Sequence, residues 1–360
     1  MSETFRDMLP AIYRHLLPAF FEREAIHEDK ATCSDCAMCD KSGGVGDGVN
    51  YFRPDTKCCT FQPHLPNYLI GAILRDRDPA LAEGQRRIRA KIAERVGVTP
   101  GWLAPGRKYT VLLEAARGSS FGRSTALRCP FYLTDGGLCT IWKHRESACS
   151  TFFCKHLGGA DGKVFWVSLE TWLLHAEKKL SAYAAAQLAP ELDEPFVPRG
   201  LLTREDLEDL PPAKSAYASC WGAWEGREPE FYEKCFDAIA ALDRAGFERI
   251  VGGEDDARLY DALESNHAAA TAPALAERLA LNPELALQPV DGGVIVTTYS
   301  RYEPMMLSAA LYEVLQQFSA KERVGEVLAR LQREHEIVLP DGLLVSLQQM
   351  RVVVPVTVEG

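Results

Sequence analysis

The chain has 360 residues, of which 47% are hydrophobic and 25% charged, and this composition is typical of a globular protein. Its formal net charge of −10 argues against binding nucleic acid through a general basic surface. No apolar run reaches the roughly 20 residues that a membrane-spanning helix needs, and the length predicts two or three domains.

The N-terminal segment MSETFRDMLPAIYRHLLPAFFERE is predicted to form two short packing segments, broken at Pro10 and Pro18. Its early acidic residues and lack of an apolar centre are unlike a secretory signal. We therefore expect a cytoplasmic protein. In that reducing compartment, clustered cysteines are metal ligands or redox groups more often than disulfides.

Residues 27–62 show no helix or strand periodicity, and glycines are frequent at 41–50. Cys33, Cys36 and Cys39 are each separated by two residues, and the pair Cys58–Cys59 follows later. Two-residue spacing allows neighbouring sulfurs to reach one metal ion. The segment is predicted to be a loop organised by ligand bonds, which replace an apolar core.

Residues 64–97 change to a helical pattern, in NYLIGAILRD and then in PALAEGQRRIRAKIAERVGV. The second helix contains a basic run at 85–95. Because Ile88 and Ile92 would face inward, we interpret the arginines and lysine of this run as a solvated helix face and expect no nucleic-acid partner.

A second group of cysteines lies at Cys129, Cys139, Cys149 and Cys154, and an amphipathic helix is predicted after it at 165–189. The proline-rich, acidic stretch 191–200 is predicted to be a linker. Further helices are predicted at 203–209, with Thr203 as N-cap, and at 228–245, 254–265 and 273–280.

The last 75 residues predict a strand, three helices and a strand, at 292–300, 304–318, 321–335, 339–350 and 351–358. The fold class predicted for the whole chain is α+β and predominantly helical. The predicted domains are a cysteine-rich metal-organised domain at 1–190, a helical middle region at 191–285 and a small winged-helix-like domain at 286–360.

Nine of the eleven cysteines fall in these groups, and this number predicts a metal site better than it predicts unligated core thiols. Cys220 and Cys235 stand alone in helical sequence and are predicted to be core residues. Trp221 and Trp224 are likewise predicted to pack in a core.

The early C-x-x-C-x-x-C, the C-C pair and the later CPFYLTDGGLCTIWKHRESAC together resemble the CxxCxxCC cysteine-cluster family, over about residues 30–157. That family is described as a zinc- or iron-chelating domain, and flagellin lysine N-methylase is a relative of it. Two features depart from the family pattern. Arg145–Glu146 stands where Arg-Pro is usual, and 18 residues separate Cys39 from Cys58.

Thiolate ligands suit both zinc and an iron–sulfur cluster, and we expect the cluster because the ligand groups are scattered along the chain. The spacing leaves the ligand sets open. One division joins Cys33, Cys36 and Cys39 to one member of the 58–59 pair, and the late cysteines to the other member. The alternative is a single site made from the early pair and the late cysteines.

Two histidines lie close to cysteines in the sequence, His64 and His156, and we expect them beside the metal or on the surface more than as ligands. Arg145 and Lys155 would offset the negative charge of thiolates, with surface charges as the alternative. The resemblance to a methylase would imply S-adenosylmethionine, although no motif for a methyl-donor pocket occurs in the sequence.

The C-terminal residues loosely resemble PqqD-like winged-helix domains, which hold peptides. Two hypotheses follow. In the first, an iron–sulfur or zinc protein assists modification of a peptide or protein, and the C-terminal domain binds this substrate. In the second, the cysteines form a non-catalytic module that binds or senses a metal. No catalytic residue and no oligomeric state can be assigned from the sequence.

Overall fold

The computed structural model describes residues 3–39, 52–115, 119–191, 202–319 and 321–356. Helices predominate in these ranges and the strands are short, so the chain is mainly helical with small sheets, as the sequence predicts. Two compact units are present, and they alternate along the chain. Unit 1 comprises Met1–Ile26, Cys33–Phe152 and Glu170–Tyr260, and unit 2 comprises His27–Thr32, Phe153–Leu169 and Asp261–Gly360. The division into three consecutive domains stays a prediction.

Helices and strands are numbered along the chain. Helices α1 to α11 are Phe5–Met8, Asn67–Arg75, Ala82–Glu94, Arg107–Ala115, Ser147–Thr151, Gly159–Leu188, Arg204–Leu207, Lys214–Trp221, Glu228–Ala240, Arg244–Val251 and Glu254–Thr271. Strands β1 to β4 are Leu65–Pro66, Trp102–Leu103, Tyr132–Leu133 and Leu138–Cys139. Strand β1 pairs with β2 and β3 pairs with β4, both antiparallel.

The core of unit 1 is rich in aromatic rings. Trp172 of α6 is fully buried, its ring centroid lies 5.0 Å from that of Phe21, and its indole N–H donates to Asp256 at 2.9 Å. Trp221 of α8 is also fully buried and contacts Phe231 edge-on at 5.4 Å. The prediction that Trp221 packs in the core is confirmed, and these rings bury large apolar areas around α6, α8 and α9.

Helices α2 and α9 approach each other closely at Gly71. A Cβ atom built on Gly71 would lie 2.0 Å from the carbonyl oxygen of Tyr232 and 2.9 Å from the Cβ of Phe236. No side chain fits in that space, so the glycine permits the contact between the two backbones.

Replacing Gly71 with alanine is expected to destabilise the protein by about 1–3 kcal/mol, because one of the two helices must move. Alanine at an open helical position should instead stabilise by up to about 1 kcal/mol. Gly325 supplies that control, since a Cβ there meets nothing within 4 Å. Urea unfolding should therefore shift in opposite directions for G71A and G325A, and equal shifts would contradict the role of Gly71.

Among the described residues after Thr271, unit 2 contains a three-stranded antiparallel sheet, a two-stranded antiparallel sheet and three helices. Strands β5 to β9 are Leu279–Leu281, Ala286–Val290, Gly293–Thr297, Met305–Ser308 and Val353–Pro355. Helices α12 to α14 are Ala309–Leu315, Val324–His335 and Leu343–Gln349. The sheet orders are β6-β7-β8 and β5-β9. Apolar residues from all of these elements except β6 form one buried core, which includes Leu279, Val296, Leu307, Leu315, Leu331, Leu347 and Val353.

Most predicted elements of the C-terminal part are confirmed, but two are wrong. Residues 273–280 form no helix, and Leu279–Leu281 is instead a strand. Its partner is β9, more than 70 residues later, which a local pattern does not show. The helix predicted from 304 begins at Ala309, because Met305–Ser308 pairs with β7 and Ser308 caps the helix.

In the middle of the chain, the single helix predicted at 228–245 is two helices, α9 and α10. Asp243 starts the second by accepting a hydrogen bond from the Gly246 N–H at 2.7 Å. The Thr203 cap is confirmed, with Asp206 completing the capping box. The glycine-rich stretch 41–50 and nearly all of the 191–200 linker lie outside the described residues. Among the helices that are described, none is both long and apolar enough to cross a membrane.

Candidate metal centre

Eight of the nine clustered cysteines belong to unit 1, and Cys154 belongs to unit 2. The eight come from three separate stretches of chain. Cys129 is buried, Cys33 is exposed and the others are half-buried, and none of them is in a disulfide. The following contacts bring these three stretches together.

The first stretch is bound to its neighbours through the backbone. Cys39 forms a parallel bridge with Phe52, and the Phe52 N–H donates to Met38 at 2.7 Å. The Lys57 ammonium donates to the carbonyl oxygens of Cys33 and Gly137, at 2.8 and 2.9 Å. One lysine therefore connects the first cysteine to the third stretch, directly beside Cys58.

The third stretch begins with a hairpin made of β3 and β4. Its turn contains Gly136 and Gly137, both with positive φ, as a tight hairpin turn requires. In the hairpin Tyr132 pairs with Cys139, and just before it the Cys129 N–H donates to the Cys59 carbonyl at 2.8 Å. The hairpin thus places Cys129 and Cys139 against the 58–59 pair.

Arg145 lies at the centre of one group of thiols. Burial lowers the pKa of its guanidinium, and Cys139, Cys149, Cys33 and Cys58, as thiolates, act against this lowering in decreasing order of effect. The group is fixed in place, because it stacks on Trp142 at 3.4 Å from the ring centroid and donates to the Cys149 carbonyl at 2.9 Å. Cys33 and Cys139 each have Cys58 and Arg145 among their electrostatic neighbours, and Cys149 has Cys139 among its own, so Cys139 links the four thiols.

Tyr132 faces a second group of thiols. Burial raises its pKa to about 12, and the charges of Cys59, Cys39 and Cys36 also contribute. Its hydroxyl donates to the Pro54 carbonyl at 2.7 Å, which ties the hairpin to the segment before the 58–59 pair. The sequence did not mark Tyr132 as a site residue.

Five thiols of the centre, those of Cys33, Cys58, Cys129, Cys139 and Cys149, have a raised pKa. Burial raises the pKa of Cys129 to about 12, and it also raises the pKa of Cys139. A hydrogen bond with Cys59 and then burial raise the pKa of Cys58, while burial and the charge of Glu146 raise that of Cys149. Since a metal binds the thiolate, coordination here must release protons and depend on pH.

The chemistry of the donor set fits a soft metal, since every member is a sulfur and a guanidinium offsets thiolate charge. In the part of the chain that the structure describes, no group of three or more Cys, His, Asp or Glu side chains is arranged as it stands to hold a metal ion. Binding would therefore have to draw the sulfurs closer together. The loops that carry Cys33 to Cys39 and Cys58 to Cys59 contain no helix or strand that would oppose such a movement.

The other predicted residues lie elsewhere. His64 is exposed and precedes β1, whereas His156 belongs to unit 2, as do Lys155 and Cys154. His156 is buried, and its Nδ1 has no hydrogen-bond partner among the described residues. Cys235 is fully buried in α9, as predicted for a core residue, and Cys220 is half-buried in α8.

A pair of buried carboxyl groups next to Cys149 was also missed by the sequence analysis. Glu146 caps α5, where its carboxylate accepts from the N–H of Cys149 at 3.0 Å. Glu177 is 1% exposed and accepts from the N–H and hydroxyl of Ser147, both at 2.8 Å, and from the Tyr13 hydroxyl at 3.3 Å. Glu146 stands where the family pattern has proline, and this departure was the one available signal in the sequence.

Glu177 is expected to make the stability of the protein fall as pH rises. Burial and then the charge of Glu146 raise its pKa well above the ordinary 4.5, so the folded chain keeps a proton that the unfolded chain has lost. This contribution to stability is complete below about pH 4.5 and is lost as pH rises through the folded-state pKa.

E177Q, which keeps the shape without the charge, should therefore gain stability relative to the parent by more than about 1 kcal/mol between about pH 5 and pH 9. Urea unfolding across that range measures the difference, and E205Q at an exposed position of α7 is the control. A parent and an E177Q variant with parallel pH profiles would contradict the assignment.

Comparison of the chain with protein-family models, with curated proteins and with solved structures finds no match.

Proposed function

We propose that unit 1 binds a metal centre through its clustered cysteines, an iron–sulfur cluster in preference to zinc, and that the protein acts in the modification of a peptide or protein. The supporting observation is the position of Arg145. Burial lowers the pKa of Arg145, and the four thiols that act against this lowering, Cys139, Cys149, Cys33 and Cys58, come from three distant stretches. Neutral thiols offset a cation poorly, whereas metal-bound thiolates offset it well.

The ligand set that this arrangement favours is Cys33, Cys58, Cys139 and Cys149. Four thiolates complete either a tetrahedral zinc site or an iron–sulfur cluster. Cys36, Cys39 and Cys59, which face Tyr132, form a second set of three. Cys129 and Cys154 are further candidates, although Cys154 belongs to the other unit. The first division considered from spacing differs from this one, because Cys33 and Cys58 group with the late cysteines. The alternative, a single site of early and late cysteines, is closer to it.

An iron–sulfur cluster is preferred for two reasons. The four thiols that act on Arg145 are all sulfur donors, and no histidine is among the groups that act on it. The ligands also come from long, separate stretches, whereas structural zinc modules usually use compact pairs. A reducing cytoplasm would keep these thiols available, and we place the protein there.

The proposed role of unit 2 is to bind the peptide or protein substrate. Its sheet β6-β7-β8 with helices α12, α13 and α14 is consistent with a winged-helix-like arrangement. Strand β6 lies at an edge of that sheet and is largely exposed, and an exposed edge can pair with an extended peptide. The net charge of −10 makes nucleic acid the less favoured partner.

A non-catalytic structural or sensing centre is the second candidate. The observation that favours it is the lack of helix and strand in the described residues between Glu22 and Leu65, which include five of the cysteines. Ligand bonds can organise such a segment without any reaction.

Anaerobic purification followed by elemental analysis and a visible spectrum tests the proposal. A brown protein with iron and inorganic sulfide supports the cluster. A colourless protein with stoichiometric zinc would show that the centre binds zinc and not an iron–sulfur cluster. Addition of S-adenosylmethionine or of a peptide separates the two candidates. A four-cysteine centre whose spectrum responds to neither would overturn the catalytic role and leave the structural one.

A further inference from the structure

Unit 1 contains a cavity of about 730 Å³ near the thiols, a size typical of sites for small molecules and short peptides. Helices α3 and α4 and the segment after α7 line it. Apolar side chains such as Val96, Leu112 and Pro211 alternate there with charged ones. The cavity thus offers both an apolar wall and polar anchors.

Lys91 is the cationic anchor. Its side chain is only 15% exposed, and its ion-pair partner Glu94 lies 3.5 Å away and is 61% exposed. An exposed carboxylate at this distance pairs only weakly with the ammonium. A ligand carboxylate would complete its pairing.

Asp209 is the anionic anchor, and the backbone holds it in an unusual conformation. Its φ of 53° lies in the left-handed region, which non-glycine residues seldom adopt. Gly106 makes room for it, since a Cβ at that position would lie 2.4 Å from a carboxylate oxygen of Asp209. Its ion pair with Lys108 is long, at 3.8 Å, which leaves the carboxylate able to accept from a ligand ammonium.

Tyr109 lines the cavity and is bound to the segment that follows Cys59. Its hydroxyl donates to the Thr60 carbonyl at 3.0 Å and accepts from the Gln62 N–H at 2.9 Å. Cys129 and Cys149 are among its charged neighbours. A molecule in the cavity would therefore contact a ring whose hydroxyl is affected by the charge of Cys129 and Cys149.

We propose that this cavity binds a short peptide with both termini free, its carboxylate against Lys91 and its ammonium against Asp209. This inference rests on the proposed function, because it assigns a peptide site to the unit that is proposed to bind the metal. The occupancy of the site does not depend on the metal.

Calorimetric titration of the anaerobically purified full chain with Ala-Leu-Ala tests it. The parent should bind the peptide, and C-terminal amidation or N-terminal acetylation should each weaken binding by about tenfold, as for a lost charge-assisted hydrogen bond. In K91M the amidated and free peptides should bind alike, and in D209N the acetylated and free peptides should bind alike. D209N retains the backbone conformation, because asparagine tolerates positive φ.

K179M, at an exposed position of α6, is the control and should keep both preferences. No binding at millimolar peptide, or preferences that persist unchanged in K91M and D209N, would overturn the inference. Metal analysis of the same samples distinguishes the two proposals. Peptide binding by a protein without metal would overturn the proposed metal function and support the peptide site. Stoichiometric metal in a protein that binds no peptide would support the metal function and overturn the peptide site.

Discussion

Replacing Cys139 with serine is expected to lower the metal content of the anaerobically purified protein by about tenfold or more. Cys139 has Arg145, Cys33 and Cys58 as neighbours on one side, and Cys129 and Cys149 also feel its charge. A serine hydroxyl is a poor ligand for a soft metal. Elemental analysis per chain, with circular dichroism to confirm folding, measures the effect.

The matched control is C220S, in α8 near Tyr217 and Tyr232, which should keep the parent metal content. The variant C36S, in the group that faces Tyr132, should keep most of the parent metal content. A loss in C36S as large as in C139S would contradict the four-cysteine ligand set and leave metal binding in place. Unchanged metal in C139S would contradict the centre itself.

Replacing Arg145 with glutamine is expected to weaken metal binding by about 10–100-fold, the usual cost of losing a group that supports metal ligands. The guanidinium offsets the charge of four thiolates and, through the Cys149 carbonyl, also positions a ligand segment. Competition with a chromophoric chelator measures the affinity. If the centre contains iron and sulfide, the reduction potential should also fall, because a positive charge has been removed.

R145K separates charge from geometry, since lysine keeps the charge but does not reproduce the planar stack on Trp142 or the fork of donors. We expect its affinity to lie between those of the parent and R145Q. Arg86 on the exposed face of α3 supplies the control variant R86Q. An R145Q protein with parent affinity and potential would contradict the electrostatic role.

Two-residue spacing and the cysteine count both indicate a shared metal site, and this stays a prediction. The structure shows backbone and lysine contacts that join the three cysteine stretches of unit 1. The grouping of individual sulfurs was not predictable. It depends on a hairpin that sets Tyr132 opposite Cys139 and on Lys57, which joins Cys33 to Gly137. The Gly136–Gly137 turn was the available signal for that hairpin. The carboxyl pair of Glu146 and Glu177 depends on a contact 30 residues apart, between α5 and α6.

Some elements of the fold could likewise be predicted from the sequence, and others could not. Long amphipathic helices such as α3, α6 and α13 follow from local periodicity, and the structure confirms them. Strands β5 and β8 do not follow from local periodicity, because a strand of three or four residues is stabilised by pairing with its partner strand and not by its own sequence pattern. The close contact of α2 with α9 depends on one glycine, whose role appears only when both helices are placed.

X-ray absorption at the metal edge of the anaerobically purified full chain tests the central claim most directly. We predict a first coordination shell of sulfur at about 2.3 Å, with about four sulfurs per metal atom for zinc or a further shell of iron for a cluster. A first shell made only of nitrogen and oxygen, or a protein with no stoichiometric metal, would contradict the claim that these cysteines form a metal centre.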